Sequence, residues 1–334
     1  MQTIALQEVI QKKNVVFIDT RTPGEFEEDH IPGAVNIPIF SNEERAVVGT
    51  MYTQESKEKA IEKGIEFFSR KMPEFMREIN KYKEKELIIY CWRGGMRSKT
   101  VTSLLDSLGY KVRQLAGGHK AYRAYVREAL KDYTLNPKLI VLWGLTCTGK
   151  TELLHPFPNS VDLEGLAQHR GSLYGAIGLK PSSQKWFDSQ LLKRLHELQD
   201  EKWIVVEGES KKIGEVQIPA FFYQAMMCGE KILITRSLQQ RAEHAVKTYF
   251  SENTIGSLKT VTQSLFKVIS AENKRNVIAS LEAKEYVAAA KILLEFYYDP
   301  LYDHTLKKIT FSGEIDNEDG KSGIQQLKEK LKII

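Results

Sequence analysis

Cysteine is scarce in this 334-residue chain: Cys91, Cys147 and Cys228 are the only three, and no two share a CxxC spacing. That excludes a disulfide scaffold and gives no cysteine metal signature. Long apolar runs are also missing. The longest, Leu87 to Trp92, has six residues, where a membrane helix needs about 20. The opening MQTIALQEVIQKK has no basic segment followed by an apolar core and a small-residue cleavage site, so a secretory signal is not expected and the expected compartment is the cytoplasm. Strong net charge is absent, with 48 Lys plus Arg against 43 Asp plus Glu, a balance that fits many enzymes and does not by itself indicate nucleic acid. No internal repeat or low-complexity tract interrupts the chain. What is present is 42% hydrophobic and 10% aromatic residues, enough for a globular protein, and at roughly 100 to 200 residues per domain the length implies two domains.

The charge is unevenly placed. Residues 81–131 carry 12 Lys plus Arg against 4 Asp plus Glu, whereas the first 80 residues are net acidic. The positive field therefore surrounds Cys91. Short β-branched and aromatic runs at NVVFID (14–19), ELIIYCW (86–92) and KVRQL read as strands, with a further short strand at AVNIP. The charged stretch from Glu55 to Lys85 has apolar residues at helical spacing, and SKTVTSLLDSLGY reads as a helix stopping at Gly109. These elements predict a parallel α/β domain over residues 1–131, with DYTLNPK as linker. A second α/β domain, 132–334, opens with KLIVLWGLTCTGKT and continues through strands at WIVVEGES and KILITRS. From Leu238 to about Leu294 the pattern is mostly helical, and the stretch GEIDNEDGKSG after Phe311 reads as a polar loop before a last helix.

YCWRGGMRS places Cys91 at a strand end, followed by Arg93, Gly94, Gly95, Arg97 and Ser98 at the start of a helix. A lone cysteine at a strand end is usually a small buried hydrophobe. Two glycines and two arginines immediately after it change that reading. A loop curling into a helix N-terminus presents backbone N–H groups to an anion, and the same field stabilises a thiolate. Cys91, Arg93 and Arg97 are the catalytic candidates, with Gly94, Gly95 and Ser98 shaping the loop.

This segment resembles the rhodanese family. FIDTRTPGEFEEDHIPGAVNIP matches its opening motif through Asp19, Arg21, Glu25 and His30, and LAGGHKAYR matches its closing motif. The resemblance implies a loop cysteine that carries sulfur or a related chalcogen, with Asp19 and Arg21 bracing the loop and His30 serving the turn. One departure is that Arg97 lies six positions after Cys91, a C-x5-R spacing equal to the tyrosine-phosphatase type, which would admit a bulkier tetrahedral anion.

Gly144 to Thr151, GLTCTGKT, satisfies G-x-x-x-x-G-K-[ST] after a strand and before a helix. Gly144, Thr146, Thr148, Gly149, Lys150 and Thr151 would hold a diphosphate, as in a P-loop NTPase-like domain. Cys147 stands where many such loops have glycine, and it reads as structural with no need for a positive φ. Glu207 and Glu209 end the strand WIVVE as acidic residues follow a Walker B strand, so Thr151 and Glu207 are candidates for Mg²⁺. Asp162, Glu164, His169 and Arg170 in VDLEGLAQHRGS form a polar cluster suited to an anionic ligand, Arg170 foremost.

Over Asp19 to Tyr302 the chain is similar to the tRNA 2-selenouridine synthase family, through the rhodanese motifs, SNEERAVVGTMYTQESKEKAIEKG, the phosphate loop, VDLEGLAQHRGSLYG, VVEGESKKIGEVQIP and YYDPLYDHTL. The resemblance implies replacement of sulfur by selenium in wobble 2-thiouridine of tRNA. It further implies selenophosphate and geranyl diphosphate as co-substrates, an S-geranylated intermediate, and a selenophosphate-supplying enzyme as a further partner. On that reading Lys99, Arg113, Lys120, Arg123 and Arg127 contact tRNA phosphates, and Trp92, Tyr122 or Tyr125 stacks on a base. Two other readings stay open from the motifs alone: a nucleotide-dependent kinase or ATPase with a rhodanese-like regulatory module, and a C-x5-R cysteine phosphatase.

Overall fold

The computed structural model describes residues 2–265 and 268–332. The chain forms two compact units, Met1–Asp132 with Asp188–Lys193, and Tyr133–Phe187 with Arg194–Ile334.

The first unit contains strands β1 (Thr3–Ile4), β2 (Val15–Asp19), β3 (Val35–Asn36), β4 (Glu86–Tyr90) and β5 (Val112–Leu115) in one parallel sheet of order β1-β5-β4-β2-β3. Its helices are α1 (Pro23–Glu28), α2 (Asn42–Gln54), α3 (Lys57–Asn80), α4 (Met96–Ser107) and α5 (Gly118–Lys131). β4 is central, and Leu87 to Tyr90 are fully buried, as expected of a strand covered on both faces, whose sequence is then continuously apolar rather than alternating. Val16, Ile18, Leu87 and Ile89 face one layer with Val101 and Leu105 of α4 and Phe68, Phe75 and Ile79 of α3. The stripe Ala60, Gly64, Phe68, Phe75, Ile79 explains α3: charged at most other positions, it buries one face. The Thr22 and Glu25 side chains cap α1 reciprocally, and Ser41 and Glu44 do the same for α2.

The second unit contains β6 (Lys138–Trp143), β7 (Ser160–Val161), β8 (Trp203–Glu207), the antiparallel pair β9 (Lys212–Ile213) and β10 (Val216–Gln217), β11 (Glu230–Thr235) and β12 (Gly313–Asp316). Five of these make a parallel sheet of order β12-β11-β6-β8-β7. α6 (Lys150–Leu154), α7 (Leu163–Ala167), α8 (Gln184–Glu197) and α9 (Ala220–Cys228) precede β11. After β11 come α10 (Leu238–Tyr249), α11 (Ile255–Ser264), α12 (Ala271–Glu282), α13 (Tyr286–Leu293), α14 (Asp299–Leu306) and α15 (Lys321–Leu331). Ile140, Leu142, Val205, Ile232 and Ile234 build the sheet core with Leu153 and Leu327. A separate helical core joins Ala242, Leu258, Val277, Leu281, Ala289 and Leu294.

The expected fold class, a rhodanese-like parallel sheet followed by a P-loop-like α/β domain with a helical C-terminal part, is what the structure shows. One element differs. GEID is not loop but the edge strand β12, paired in parallel with β11 from Ile232–Gly313 to Thr235–Asp316. Only Ile315 of the four is buried, so a short edge strand with three exposed or half-exposed residues carries no readable alternation. No helix among the described residues is long and apolar enough to cross a membrane.

Candidate functional site

Each sheet ends a central strand in a loop that opens a helix, at the carboxyl edge where parallel α/β folds bind ligands. In the first unit that loop runs from Cys91 at the end of β4 to Gly95, the N-cap of α4. Cys91 is buried, its Sγ 3.1 Å from Ser98 Oγ. Gln114 Nε2 donates to Ser98 Oγ and to the Gly94 carbonyl, both at 2.8 Å. Ser98, Gln114 and Gly94 thus fix the thiol and the loop as one piece. Gly94 is left-handed at φ 66°.

The closing motif clamps this loop. His119 and Lys120 donate their backbone N–H groups to the Cys91 and Trp92 carbonyls at 2.8 Å. Gly118 has φ 56°, and a Cβ on it would stand 2.3 Å from the Cys91 carbonyl oxygen and 2.5 Å from the Gly94 nitrogen. Both obstacles are backbone. Gly118→Ala is therefore expected to cost about 2–4 kcal/mol in denaturant unfolding. Gly109→Ala, with a similar φ of 83° but open space around it, is expected to cost about 1 kcal/mol.

Arg97 is held by Glu25, whose carboxylate accepts from Nη1 at 2.7 Å and Nη2 at 3.3 Å. Burial raises the Glu25 carboxyl, but the Arg97 hydrogen bonds and charge outweigh it and hold Glu25 below the usual range. Arg93 is exposed and forms no ion pair among the described residues. Asp19 and Arg21 lie beneath, fully buried, joined through Arg21 Nε at 3.0 Å and Nη2 at 2.6 Å. Arg21 also reaches His119 Nδ1 at 3.1 Å and the Asp29 carbonyl at 2.7 Å. The pair ties the end of β2 to the closing motif. His30 stacks on Phe26 at 3.7 Å, its Nδ1 2.8 Å from the Phe26 carbonyl, in the turn role.

Of the basic and aromatic residues expected at a nucleic-acid surface, Lys99, Lys120 and Arg127 are exposed. Arg123 and Tyr122 are buried instead, Arg123 beside Asp29, and Arg113 pairs with Glu86. Tyr122 and Arg123 fall on the inward stripe of α5 and Arg113 of β5 lies against β4, placements that residue type alone does not reveal.

In the second unit β6 feeds the phosphate loop. Its backbone is fixed from outside: Arg241 Nε donates to the Thr146 carbonyl at 2.8 Å and Asn317 Nδ2 to the Thr148 carbonyl at 2.8 Å. Arg241 is itself paired with Asp299 at 3.0 Å. Gly144 packs so tightly that a Cβ would meet the Ile234 carbonyl oxygen at 2.4 Å. Thr148 Oγ1 turns inward to the Leu145 carbonyl at 3.0 Å. Lys150 Nζ donates to the Gly144 and Leu145 carbonyls at 3.0 and 3.2 Å. Cys147 departs from expectation: it is left-handed, at φ 65°, because the loop demands that turn whatever residue occupies it. Burial pushes its thiol up to about 12, the direction opposite to that of an activated cysteine.

A cleft of about 370 Å³ opens over this loop, lined among others by Lys150, Thr151, Glu164, Arg170, Glu209 and Tyr302. Arg170 Nη1 donates to the Ile177 carbonyl at 3.0 Å, and its guanidinium lies 5.0 Å over the Tyr249 ring. Glu207 is fully buried under the cleft and accepts from Thr151 Oγ1 at 3.0 Å and from the Glu164 N–H at 2.7 Å. Thr151 Oγ1 is also 3.4 Å from Glu164. Sequence reasoning missed Arg236, Arg241 and Asn317, which reach the loop, and His244 and Tyr249, which line its cleft, all from far along the chain. Tyr302 had a signal in YYDPLYDHTL.

The carboxyls here repel one another. Burial, then Glu209, push Glu164 up to about 8 against the pull of Lys150. Burial and Glu207 push Glu209 up to about 7, and burial and Glu164 raise Glu207. An unfolded glutamate titrates near ~4.3. Between that value and the folded ones the native state holds more protons, so stability falls as pH rises. The thermal midpoint without divalent cation is expected to drop between about pH 5.5 and 8.5, and to drop less in Glu164→Gln.

A family profile described as the tRNA 2-selenouridine synthase AAA domain matches residues 137–270, and one described as the rhodanese-like domain matches residues 3–125. A protein named tRNA 2-selenouridine synthase from Hydrogenovibrio crunogenus is 32% identical, the match covering 92% of this chain and 95% of that one. Its namesake from Nitrosomonas europaea is 29% identical over 87% of this chain and 89% of its own. The Pseudomonas syringae pv. syringae protein of that name is 30% identical over 90% and 92%.

Proposed function

This chain belongs to the tRNA 2-selenouridine synthase family, and from that membership we propose that it is a cytoplasmic enzyme exchanging sulfur for selenium in wobble 2-thiouridine of tRNA through an S-geranylated intermediate. The observation that supports the reading is the pairing in one chain of two strand-to-helix loops, each shaped as an anion cradle would be. One surrounds a buried thiol, and the other is a phosphate loop with a clustered carboxylate floor.

The work divides between residues 1–131 and 132–334. In the first step the 2-thiouridine sulfur forms a bond to C1 of geranyl diphosphate while the C1–O bond breaks. The electron pair leaves with diphosphate, and the nucleobase loses its N3 proton. Sulfur becomes a thioether and hence a leaving group. Charge builds on the departing diphosphate, and Lys150, Arg170 and the amides of Thr146 to Thr151 are the groups to receive it.

Mg²⁺ fits this site by the chemistry of its donors. Thr151 Oγ1 and the Glu207 carboxylate are hard oxygen ligands already 3.0 Å apart. Among the described residues no group of three or more His, Cys, Asp or Glu makes a protein-only metal site. Thr151 and Glu207 would hold the ion together with diphosphate oxygens, as Mg²⁺ prefers, and the ion would neutralise the leaving group. Glu209 lines the cleft beside them.

In the second step selenium supplied by selenophosphate forms a bond to C2. The C2–S bond breaks, geranylthiol departs, and water takes the phosphoryl group as inorganic phosphate. Cys91 orients the selenophosphate for this attack, with Arg93 and Arg97 beside the anion. Lys99, Lys120 and Arg127 are the exposed cations for tRNA phosphates.

The test is nucleoside mass spectrometry of 2-thiouridine tRNA incubated with the protein, geranyl diphosphate and selenophosphate, omitting each in turn. A geranylated nucleoside without selenophosphate and a selenium isotope pattern with both are expected. No mass change with active protein would overturn the reading.

A further inference from the structure

A further cleft is separate from the one over the phosphate loop. It lies wholly in the first unit, between α2, α3 and the start of α4, with a volume of about 650 Å³. Its floor is apolar, formed by Phe40, Ala60 and Phe68, all buried. Its rim exposes Tyr52, Ile65 and Met96 at 52%, 63% and 48%, an unusual cost for large side chains unless something covers them. A solvated helix pair would not place its exposed apolar residues around one hollow.

Two features select the occupant. Met96, Arg97 and Thr100, which line the cleft, belong to the helix that opens from the Cys91 loop, and Ser98 of that helix touches the thiol. Whatever fills the cleft therefore adjoins a group reacting at Cys91. The lining also includes two cations. Arg97 is neutralised by Glu25, while Arg45 is exposed and forms no ion pair among the described residues. An apolar chain attached to a polyanion matches this combination. A free diphosphate is better matched by the polar cleft over Lys150, Thr151 and Arg170.

We propose that the α2–α3–α4 cleft holds the geranyl chain of S-geranyl-2-thiouridine tRNA, presenting its C2 carbon to the Cys91 loop for the second step. The proposal rests on the geranylated intermediate of the preceding reading. It makes the cleft a specificity device: a thioether with a long apolar chain is accepted, and one without it is bound no better than unmodified 2-thiouridine.

The test uses the full chain and fluorescent anticodon stem-loops carrying S-geranyl-2-thiouridine, S-methyl-2-thiouridine or 2-thiouridine, with binding read by anisotropy. S-methyl controls for the change at the thiocarbonyl. At least about tenfold tighter binding of the geranyl probe than the methyl probe is expected, since apolar burial grows with each methylene. Thr100→Trp fills the cleft and Ile65→Asp makes its rim polar, both at exposed positions. Each is expected to cut the preference to about threefold or less while leaving the 2-thiouridine affinity and the circular dichroism spectrum unchanged. Equal binding of geranyl and methyl probes, or a preference that survives both substitutions, would overturn the proposal. So would a raised KM for geranyl diphosphate in Thr100→Trp with the stem-loop preference intact, which would assign the cleft to the donor. Geranyl transfer is assayed separately. Its absence with the probe preference retained would sink the parent reading and leave the cleft, and the converse result would do the reverse.

Discussion

Cys91→Ala is expected to leave tRNA stalled at S-geranyl-2-thiouridine, with 2-selenouridine reduced by at least about 10³-fold. The substitution is structurally mild. It removes one buried sulfur whose polar neighbour, Ser98 Oγ, keeps its hydrogen bond from Gln114. The clamp from His119 and Lys120 grips the carbonyls of Cys91 and Trp92, not the thiol. The loop should therefore keep its shape, and geranylation at the phosphate loop should proceed at the wild-type rate. Nucleoside mass spectrometry with both co-substrates reads the two products at once. Loss of both products would mean that Cys91 serves the first step as well.

Lys150→Ala is expected to give the opposite defect, a fall of about 10²–10³-fold in S-geranyl-2-thiouridine formation. When the isolated geranylated tRNA is supplied, selenation should be near normal. Among the described residues Lys150 Nζ donates to carbonyls of its own loop, while Arg241 and Asn317 anchor that loop from α10 and from the residue after β12. The lysine can be removed without collapsing the backbone that would cradle diphosphate. Lys150→Arg should rescue poorly, because a planar fork does not replace a compact ammonium within a tight loop. A Lys150→Ala enzyme that geranylates normally but fails to selenate would exchange the roles of the two sites.

Much of this was legible in the sequence because the anion sites are local. A strand, a glycine loop and a helix start lie within about ten consecutive residues at both Cys91 and Lys150, and the physics of helix N-termini assigns them directly. What was not legible depends on distance along the chain. Glu25 stood out as part of a motif, yet its grip on Arg97 joins positions 72 apart, and Arg241 meets Thr146 across 95. Arg123 and Arg127 look alike in sequence, but one turn of α5 buries the first and exposes the second. Cys147 was misread because the loop imposes its left-handed turn on a residue whose type does not advertise it. The apolar cleft was hidden for a similar reason: α3 shows its buried stripe clearly, while Tyr52, Ile65 and Met96 are unremarkable singly and converge only when α2, α3 and α4 pack.

The most direct measurement supplies purified S-geranyl-2-thiouridine tRNA to the wild-type protein with selenophosphate and no geranyl diphosphate, followed by nucleoside mass spectrometry. The proposed order of steps predicts a selenium isotope pattern at the wobble nucleoside with stoichiometric geranylthiol, both lost in Cys91→Ala and both retained in Lys150→Ala. Geranylated tRNA that stays unchanged, while 2-thiouridine tRNA is selenated without geranyl diphosphate, would contradict it.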